Sequence, residues 1–154
     1  MSLDVGSVAP DFTLPNEDNQ PVTLSKLRGQ PVVLAFYPAA FSSVCTKELC
    51  TFRDSMGTLN QASAKVFGIS IDTFFTQKAF QKDQGLNFSL LSDFNKEVIN
   101  AYDVVIPDLI GMKGLAKRAV FVLDKEGVIR HKEVLADARN EPNYDAVLTT
   151  LKQL

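Results

Sequence analysis

This chain of 154 residues has only two cysteines, a single histidine and nearly balanced charge. Two cysteines are too few to staple a small secreted domain, and a chain of this length can bury a core without disulfides. A formal net charge of −2 predicts binding neither to nucleic acid nor to an anionic membrane. No hydrophobic run approaches the roughly 20 residues that span a bilayer, and the first residues lack the basic and apolar segments of a secretory signal. We therefore expect a cytoplasmic protein with one domain, residues 1–154.

Hydrophobic segments and turn residues alternate along the chain in a pattern typical of an α/β protein. Residues 9–14 and 21–24 indicate an N-terminal β-hairpin around a polar turn, and Asp124-Lys125-Glu126-Gly127 predicts a second hairpin between two apolar strands. The buried strands are expected at 31–37, 66–71, 119–123 and 128–134, with a short apolar segment at 88–91. The helices are expected at 46–59, 74–84, 96–102 and 144–154.

The order of these elements predicts a three-layer α/β fold with a central mixed β-sheet flanked by helices. The first predicted helix has apolar residues at Leu49, Phe52, Met56 and Leu59, a spacing that gives it one buried face. In sheets of this kind, reactive groups collect at the carboxyl ends of the parallel strands. Cys45 follows the carboxyl end of the first buried strand, so it is the first candidate for a functional residue.

Cys45 stands where a strand gives way to a helix. Pro38 cannot donate a hydrogen bond and would end the strand, while Ser42 or Ser43 could cap the helix. The unpaired N–H groups of a first helical turn favour an anion, and a thiolate is the nucleophilic form of cysteine. Glu48 would oppose a thiolate unless an arginine neutralised it. The alternative is that Cys45 is an inert, buried, small hydrophobic residue.

Three separated motifs resemble those of the peroxiredoxin family. Pro38-x-x-x-Ser42-x-x-Cys45 is similar to the family's active-site pattern, although most members have threonine at the position of Ser42. Residues 9–12 (Ala-Pro-Asp-Phe) resemble its N-terminal signature, and residues 117–124 resemble the segment that contains its active-site arginine. This resemblance covers nearly the whole chain and implies a thioredoxin-like fold.

The resemblance also implies a function, the thiol-dependent reduction of hydrogen peroxide and organic hydroperoxides, and hence an antioxidant part in cell redox homeostasis. Cys45 would attack the peroxide as a thiolate and become a sulfenic acid. Arg118 would stabilise the thiolate and the departing oxygen, and the Ser42 hydroxyl would accept from Cys45 or donate to the peroxide. Pro38 would shield the site from water, and Glu48 would hold an arginine in place.

Cys50 is the candidate for completing the cycle. The spacing Cys45-x-x-x-x-Cys50 is similar to that of the bacterioferritin-comigratory, or peroxiredoxin Q, group, in which the second cysteine resolves the sulfenic acid as a disulfide that thioredoxin reduces. Residues five apart on a helix are ~8.6 Å apart at Cα, whereas a disulfide needs about 7 Å or less. A Cys45–Cys50 disulfide would therefore require the helix start to unwind. The region also resembles one-cysteine and alkyl hydroperoxide reductase E proteins, in which an external thiol resolves, and Cys50 could simply be buried.

Other functions fit the sequence less well. A dithiol oxidoreductase would normally have Cys-x-x-Cys, and the two cysteines with His131 form a poor zinc site, so we expect no cofactor and no metal. The hypothesis of a binding or holdase protein that is switched by oxidation of Cys45 is supported by family analogy alone. The sequence leaves open the preferred peroxide, the reductant (thioredoxin, glutaredoxin or a small thiol) and whether the protein is a monomer or a homodimer.

Overall fold

A five-stranded mixed sheet forms the centre of the protein. The computed structural model describes residues 3–154, apart from the side chain of Met56. An antiparallel hairpin of β1 (Thr13–Pro15) and β2 (Pro21–Thr23) comes first, as predicted, and a short 3₁₀ helix, Leu24–Leu27, follows it. The other strands are β3 (Val32–Phe36), β4 (Lys65–Ser70), β5 (Ser89–Ser92), β6 (Val105–Ile106), β7 (Leu115–Ala116), β8 (Ala119–Leu123) and β9 (Ile129–Val134).

The central sheet has the order β5-β4-β3-β8-β9. Strands β3, β4 and β5 are parallel, whereas β8 runs antiparallel to β3 and β9 antiparallel to β8. The predicted turn at residues 124–127 joins β8 to β9, and the Asp124 N–H donates to the Val128 carbonyl at 2.9 Å. The predicted mixed sheet is therefore confirmed.

Within residues 3–154, five α-helices flank the sheet, and most of them match the predicted ranges. They are α1 (Ser43–Asp54), α2 (Met56–Gln61), α3 (Phe74–Gln84), α4 (Glu97–Ala101) and α5 (Tyr144–Lys152). The predicted helix at 46–59 is wrong in its bounds, because it begins at Ser43 and is interrupted at Ser55. Asp54, Ser55 and Gly57 cluster at this break, and all three residue types are poor helix formers. The predicted apolar position at Met56 lies outside the described side chains.

The sheet separates two hydrophobic cores, which makes the fold three-layered. Alternate residues of β3 point to opposite faces, so Leu34 belongs to one core and Val33 to the other. The first core includes Tyr102 and Phe121, whose rings meet edge to face with centroids 5.3 Å apart. The second core packs α1, α3 and α5 on the sheet through Leu49, Phe52, Phe80, Val147 and Leu151.

Two further features were not predicted. The mostly apolar connection at 104–112 contains β6, which pairs antiparallel with β7. His131, in β9, is half-buried, and its Nε2 atom is inaccessible to solvent. No helix within residues 3–154 has the length and apolarity needed to cross a membrane.

The sheet register explains how distant residues meet. Phe36, at the carboxyl end of β3, pairs with Ala119, at the amino end of β8. The residue before β8 is Arg118, and the chain after β3 leads through a loop into α1. Antiparallel pairing therefore brings Arg118 to the sheet edge above which α1 begins.

Candidate active site

Cys45 lies in the first turn of α1 and is fully buried in the second core. The loop before it is held by Asp72, which follows β4. One Asp72 carboxylate oxygen accepts the Ala40 N–H at 2.8 Å and the Ser70 hydroxyl at 2.7 Å. Phe41, in the same loop, has a left-handed backbone with φ 67°. These contacts shape the turn that places Cys45 above the end of β3.

Arg118 joins Cys45 to the rest of the site. Its guanidinium is almost completely buried, and each of its three nitrogens donates a hydrogen bond. Nη2 donates to Cys45 Sγ at 3.0 Å, Nη1 to Glu48 Oε1 at 2.8 Å, and Nε to the Ala138 carbonyl at 3.0 Å. The planar fork can satisfy three separate acceptors at fixed positions, which a lysine ammonium could not match. The guanidinium also favours negative charge on the sulfur that it contacts.

Glu48 lies three residues after Cys45, on the same face of α1, and is also fully buried. Burial raises the pKa of Glu48 to about 8, although the adjacent Arg118 favours its carboxylate. Burial alone would lower the pKa of Arg118, but Glu48 and Cys45 outweigh it and raise that pKa. The Glu48 Oε2 atom has no hydrogen-bond partner among the described residues.

Ser42 and Pro38 lie in the loop before α1. Ser42 occupies the N-cap position, but its exposed hydroxyl donates to the Ala39 carbonyl at 3.0 Å rather than capping the helix. Ser42 is therefore the N-cap residue, as predicted, but its side chain makes no capping hydrogen bond. Pro38 is buried just after β3. Both residues are near Cys45 in the sequence, and the Ser42 hydroxyl is engaged by the Ala39 carbonyl.

Cys50 lies on the same continuous helix as Cys45, and both are free thiols. Cys50 is half-buried and its Sγ donates to Gln84 Oε1, in α3, at 3.4 Å. An intact helix keeps the two sulfurs from bonding, as the spacing predicts. The structure thus brings Cys45, Arg118 and Glu48 together and leaves Cys50 apart from them.

Two contributors to the site were missed at the sequence level. No side-chain pattern could have indicated the Ala138 carbonyl, because a backbone acceptor leaves no trace in residue identity. Asp72 could have been suspected, since it follows the carboxyl end of a parallel strand. No cluster of three or more histidine, cysteine, aspartate or glutamate residues that could hold a metal occurs in the described part of the chain.

Known proteins share both the sequence and the fold of this chain. Residues 5–132 match the family described as AhpC/TSA. The chloroplastic peroxiredoxin Q of Triticum aestivum is 47% identical over 126 residues, which are 82% of this chain and 57% of the wheat protein. The chain therefore spans little more than half the length of that curated relative.

Solved structures of similar fold cover nearly the whole chain. The crystal structure of peroxidoxin BcpB from Mycobacterium tuberculosis is 32% identical, with a TM-score of 0.88 over 99% of this chain and 98% of that one. A peroxiredoxin Q of Xanthomonas campestris is 28% identical, with a TM-score of 0.83 over 98% of this chain and 96% of that one. These likenesses confirm the predicted thioredoxin-like peroxiredoxin fold. The chain belongs to the AhpC/TSA family of peroxiredoxins.

Proposed function

We propose that the protein is a thiol-dependent peroxidase that reduces hydrogen peroxide and organic hydroperoxides. The observation that carries this proposal is the 3.0 Å contact between Arg118 Nη2 and Cys45 Sγ, both of which are buried. A buried cation held against a sulfur stabilises the thiolate, and a charged hydrogen bond is stronger where water is excluded. The family membership and the wheat peroxiredoxin Q likeness support the same activity.

The first step is attack of the Cys45 thiolate on one peroxide oxygen. A sulfur–oxygen bond forms, the oxygen–oxygen bond breaks, and the departing alkoxide or hydroxide takes up a proton to give an alcohol or water. Arg118 faces the charge as it moves from sulfur to the leaving oxygen, which is stabilisation of a transition state by a preoriented donor. Because Cys45 is fully buried, a peroxide can reach it only if neighbouring side chains move.

The other predicted site residues have supporting parts in this proposal. Glu48 fixes one arm of the Arg118 guanidinium. Pro38, buried in the loop before α1, would help to keep water from the sulfur. The Ser42 hydroxyl would have to leave the Ala39 carbonyl, which it contacts in this structure, before it could donate to a peroxide.

Cys50 completes the cycle in this proposal. Its thiolate attacks the sulfur of the Cys45 sulfenic acid, a disulfide forms, and hydroxide leaves and takes up a proton. Thioredoxin would then reduce the disulfide. The cytoplasmic location and the oligomeric state, monomer or homodimer, stay predictions.

A one-cysteine cycle is the second candidate, because α1 separates Cys50 from Cys45 and Gln84 engages its thiol. In that cycle an external thiol reduces the sulfenic acid directly, and Cys50 has a packing role.

Peroxide consumption by the wild type, Cys45→Ser and Cys50→Ser tests the proposal, with and without thioredoxin and its reductase. We expect Cys45→Ser to lose activity and Cys50→Ser to lose thioredoxin-dependent turnover while it still reduces one equivalent of peroxide. Mass spectrometry after one equivalent should show a loss of two hydrogens in the wild type and a gain of one oxygen in Cys50→Ser. Full activity of Cys45→Ser would contradict the peroxidase function, and normal turnover of Cys50→Ser would favour the one-cysteine cycle.

A further inference from the structure

The surroundings of Cys50 link the end of α1 to the end of α3. Gln84 is the last residue of α3, and the left-handed Gly85 follows it. The Gln84 side chain accepts the Cys50 thiol, and its backbone carbonyl accepts from Arg53 Nη1 at 2.5 Å. Arg53 lies three residues after Cys50, on the same face of α1. One residue of α3 therefore holds both the cysteine and the arginine of the neighbouring helical turn.

Further contacts strengthen this end of α1. Asn87 Nδ2, in the loop after α3, donates to the Arg53 carbonyl at 3.4 Å. Arg53 Nε donates to Asp54 Oδ1 at 3.0 Å, and the Gln84 amide donates to Asp83 Oδ2 at 2.7 Å. The hydrogen bond to Asp54 and the nearby Cys50 raise the pKa of Arg53, so the guanidinium keeps its charge.

The opposite end of α1 depends on different contacts. Ser42 and Ser43 are exposed, and the Ser42 hydroxyl bonds backwards to the loop instead of to the helix. Arg118 contacts the first turns through Cys45 and Glu48, and Lys47 pairs there with Glu141 at 3.0 Å. Conversion of a Cys45 thiolate to a neutral sulfenic acid weakens the bond between Arg118 and Cys45, because a charge-assisted hydrogen bond loses its charge. The contacts of Arg53 and Gln84 do not involve Cys45 and are unaffected by that change.

We propose that Arg53 and Gln84 are positioning residues for the resolving step, and that they hold Cys50 and the last turn of α1 on α3 while the first turns unwind. This proposal rests on the proposed function, in which Cys50 resolves the sulfenic acid. A disulfide requires one cysteine to move toward the other, and an anchored Cys50 makes Cys45 the moving partner. Without the contacts of Arg53 and Gln84, the whole of α1 can separate from α3, and the Cys45 and Cys50 sulfurs come together less often.

Disulfide formation, the step that Arg53 and Gln84 would assist, needs no oxidant other than the Cys45 sulfenic acid. The Cys50 thiolate forms a bond to Cys45 Sγ, the sulfur–oxygen bond of the sulfenic acid breaks, and hydroxide leaves and becomes water. The Cys50 sulfur is oxidised and the Cys45 sulfur is reduced. Before this step the Cys50 thiol must lose its proton and leave Gln84 Oε1, while the Gln84 carbonyl can keep its hydrogen bond from Arg53.

Rapid mixing of the reduced protein with one equivalent of hydrogen peroxide tests the proposal, with sulfenic acid and disulfide followed separately by quenching and mass spectrometry. Arg53→Met removes the donors and keeps an apolar chain. We expect sulfenic acid formation within twofold of the wild type and disulfide formation slowed about five- to tenfold, the effect of losing an ordinary hydrogen bond at a partly exposed residue. Arg53→Lys should restore at least half of the lost rate, because its ammonium can donate to the Gln84 carbonyl.

Two further variants sharpen the result. Gln84→Ala removes only the side-chain contact with Cys50 and keeps the carbonyl that Arg53 uses, so we expect a smaller slowing of about two- to threefold. Arg130→Met is the matched control, since Arg130 is also a partly exposed arginine whose Nε contacts a neighbouring aspartate, Asp124, at 2.8 Å. It should leave both steps unchanged.

Equal disulfide rates in the wild type and Arg53→Met would contradict the proposal alone. Parallel slowing of both steps would also contradict it, because that result indicates a general structural role. A wild type that never forms the disulfide would contradict the resolving role of Cys50 and the proposal together. Hydrogen exchange of the reduced protein adds an independent check, because Arg53→Met should speed exchange of the amides at 50–54 and leave those at 43–47 unchanged.

Discussion

At the scale of single residues, Arg118 is the group on which the proposed chemistry depends most. Its three nitrogens serve Cys45, Glu48 and the Ala138 carbonyl at the same time. Arg118→Lys keeps the positive charge but presents it as a single point on a flexible chain. We expect the second-order rate constant for peroxide reduction to fall about 10²-fold, as when one preoriented donor is lost from a reacting site. Stopped-flow measurement of Cys45 oxidation checks this.

The control for that change is Arg139→Lys. Arg139 is an exposed arginine whose side chain pairs with Asp137, and it shares no contact with Cys45. A decrease of similar size in the rate constant for Cys45 oxidation in both variants would contradict a specific role for the Arg118 guanidinium.

Glu48 gives the site a pH dependence of its own. Burial raises its pKa to about 8, from an ordinary value of 4.5. Between pH 4.5 and pH 8 the Glu48 carboxyl is more often protonated in the folded protein than in the unfolded chain. The free energy of unfolding that Glu48 contributes therefore falls as the pH rises from about 4.5, and it is lost once the pH has passed about 8. We expect Glu48→Gln to make the free energy of unfolding less dependent on pH across this window. Urea unfolding at several pH values measures this, and an unchanged slope would contradict the assignment.

At the scale of elements, α1 serves two incompatible states of the proposed cycle. When α1 is intact, it places Cys45 against Arg118 and keeps Cys50 in contact with α3. When Cys45 and Cys50 form a disulfide, α1 must lose its helical geometry between them, because an intact helix holds their Cα atoms ~8.6 Å apart. We expect peroxide treatment to lower the far-ultraviolet helical signal and to expose residues 43–49 to hydrogen exchange. Dithiothreitol should reverse both changes, and Cys50→Ser should show neither.

At the scale of the whole molecule, the site depends on the sheet that joins β3 to β4 and β8. A Cβ atom added at Gly68, in β4, would lie 2.7 Å from Leu90 and 3.2 Å from Tyr37. Overpacking of this kind costs about 1–3 kcal/mol. We therefore expect Gly68→Ala to lower the free energy of unfolding by about that amount in urea titration, with the midpoint shifted accordingly.

The matched control is Gly57→Ala, in α2, because an added Cβ atom at Gly57 meets no described atom within 4 Å. That change should be neutral or stabilise the protein by up to about 1 kcal/mol, since alanine is the better helix former. Equal effects of the two substitutions would contradict an overpacking cost at Gly68.

Much of this protein could be predicted from residue order alone. Continuous apolar segments indicated the strands, since a strand buried on both faces needs no polar side chains. Gly85 ends α3 as predicted, in the left-handed conformation that glycine adopts without strain. Cys45, Pro38 and Ser42 could be proposed together because they lie close along the chain, between one strand and the next helix. The break at Ser55 was missed, because an apolar period does not reveal where weak helix formers interrupt it.

Only the tertiary structure determined how Arg118, Glu48 and Cys45 meet. Arg118 is 73 positions from Cys45 along the chain, and the pairing of Phe36 with Ala119 brings the two together. The sequence contained the resemblance that pointed to these residues, but it could not show that one buried guanidinium serves two acidic groups and a backbone carbonyl. It also could not show that Gln84 holds Cys50. Local patterns determine local structure, whereas burial and long-range contacts, which set the charge of a buried group, arise only when the chain is folded.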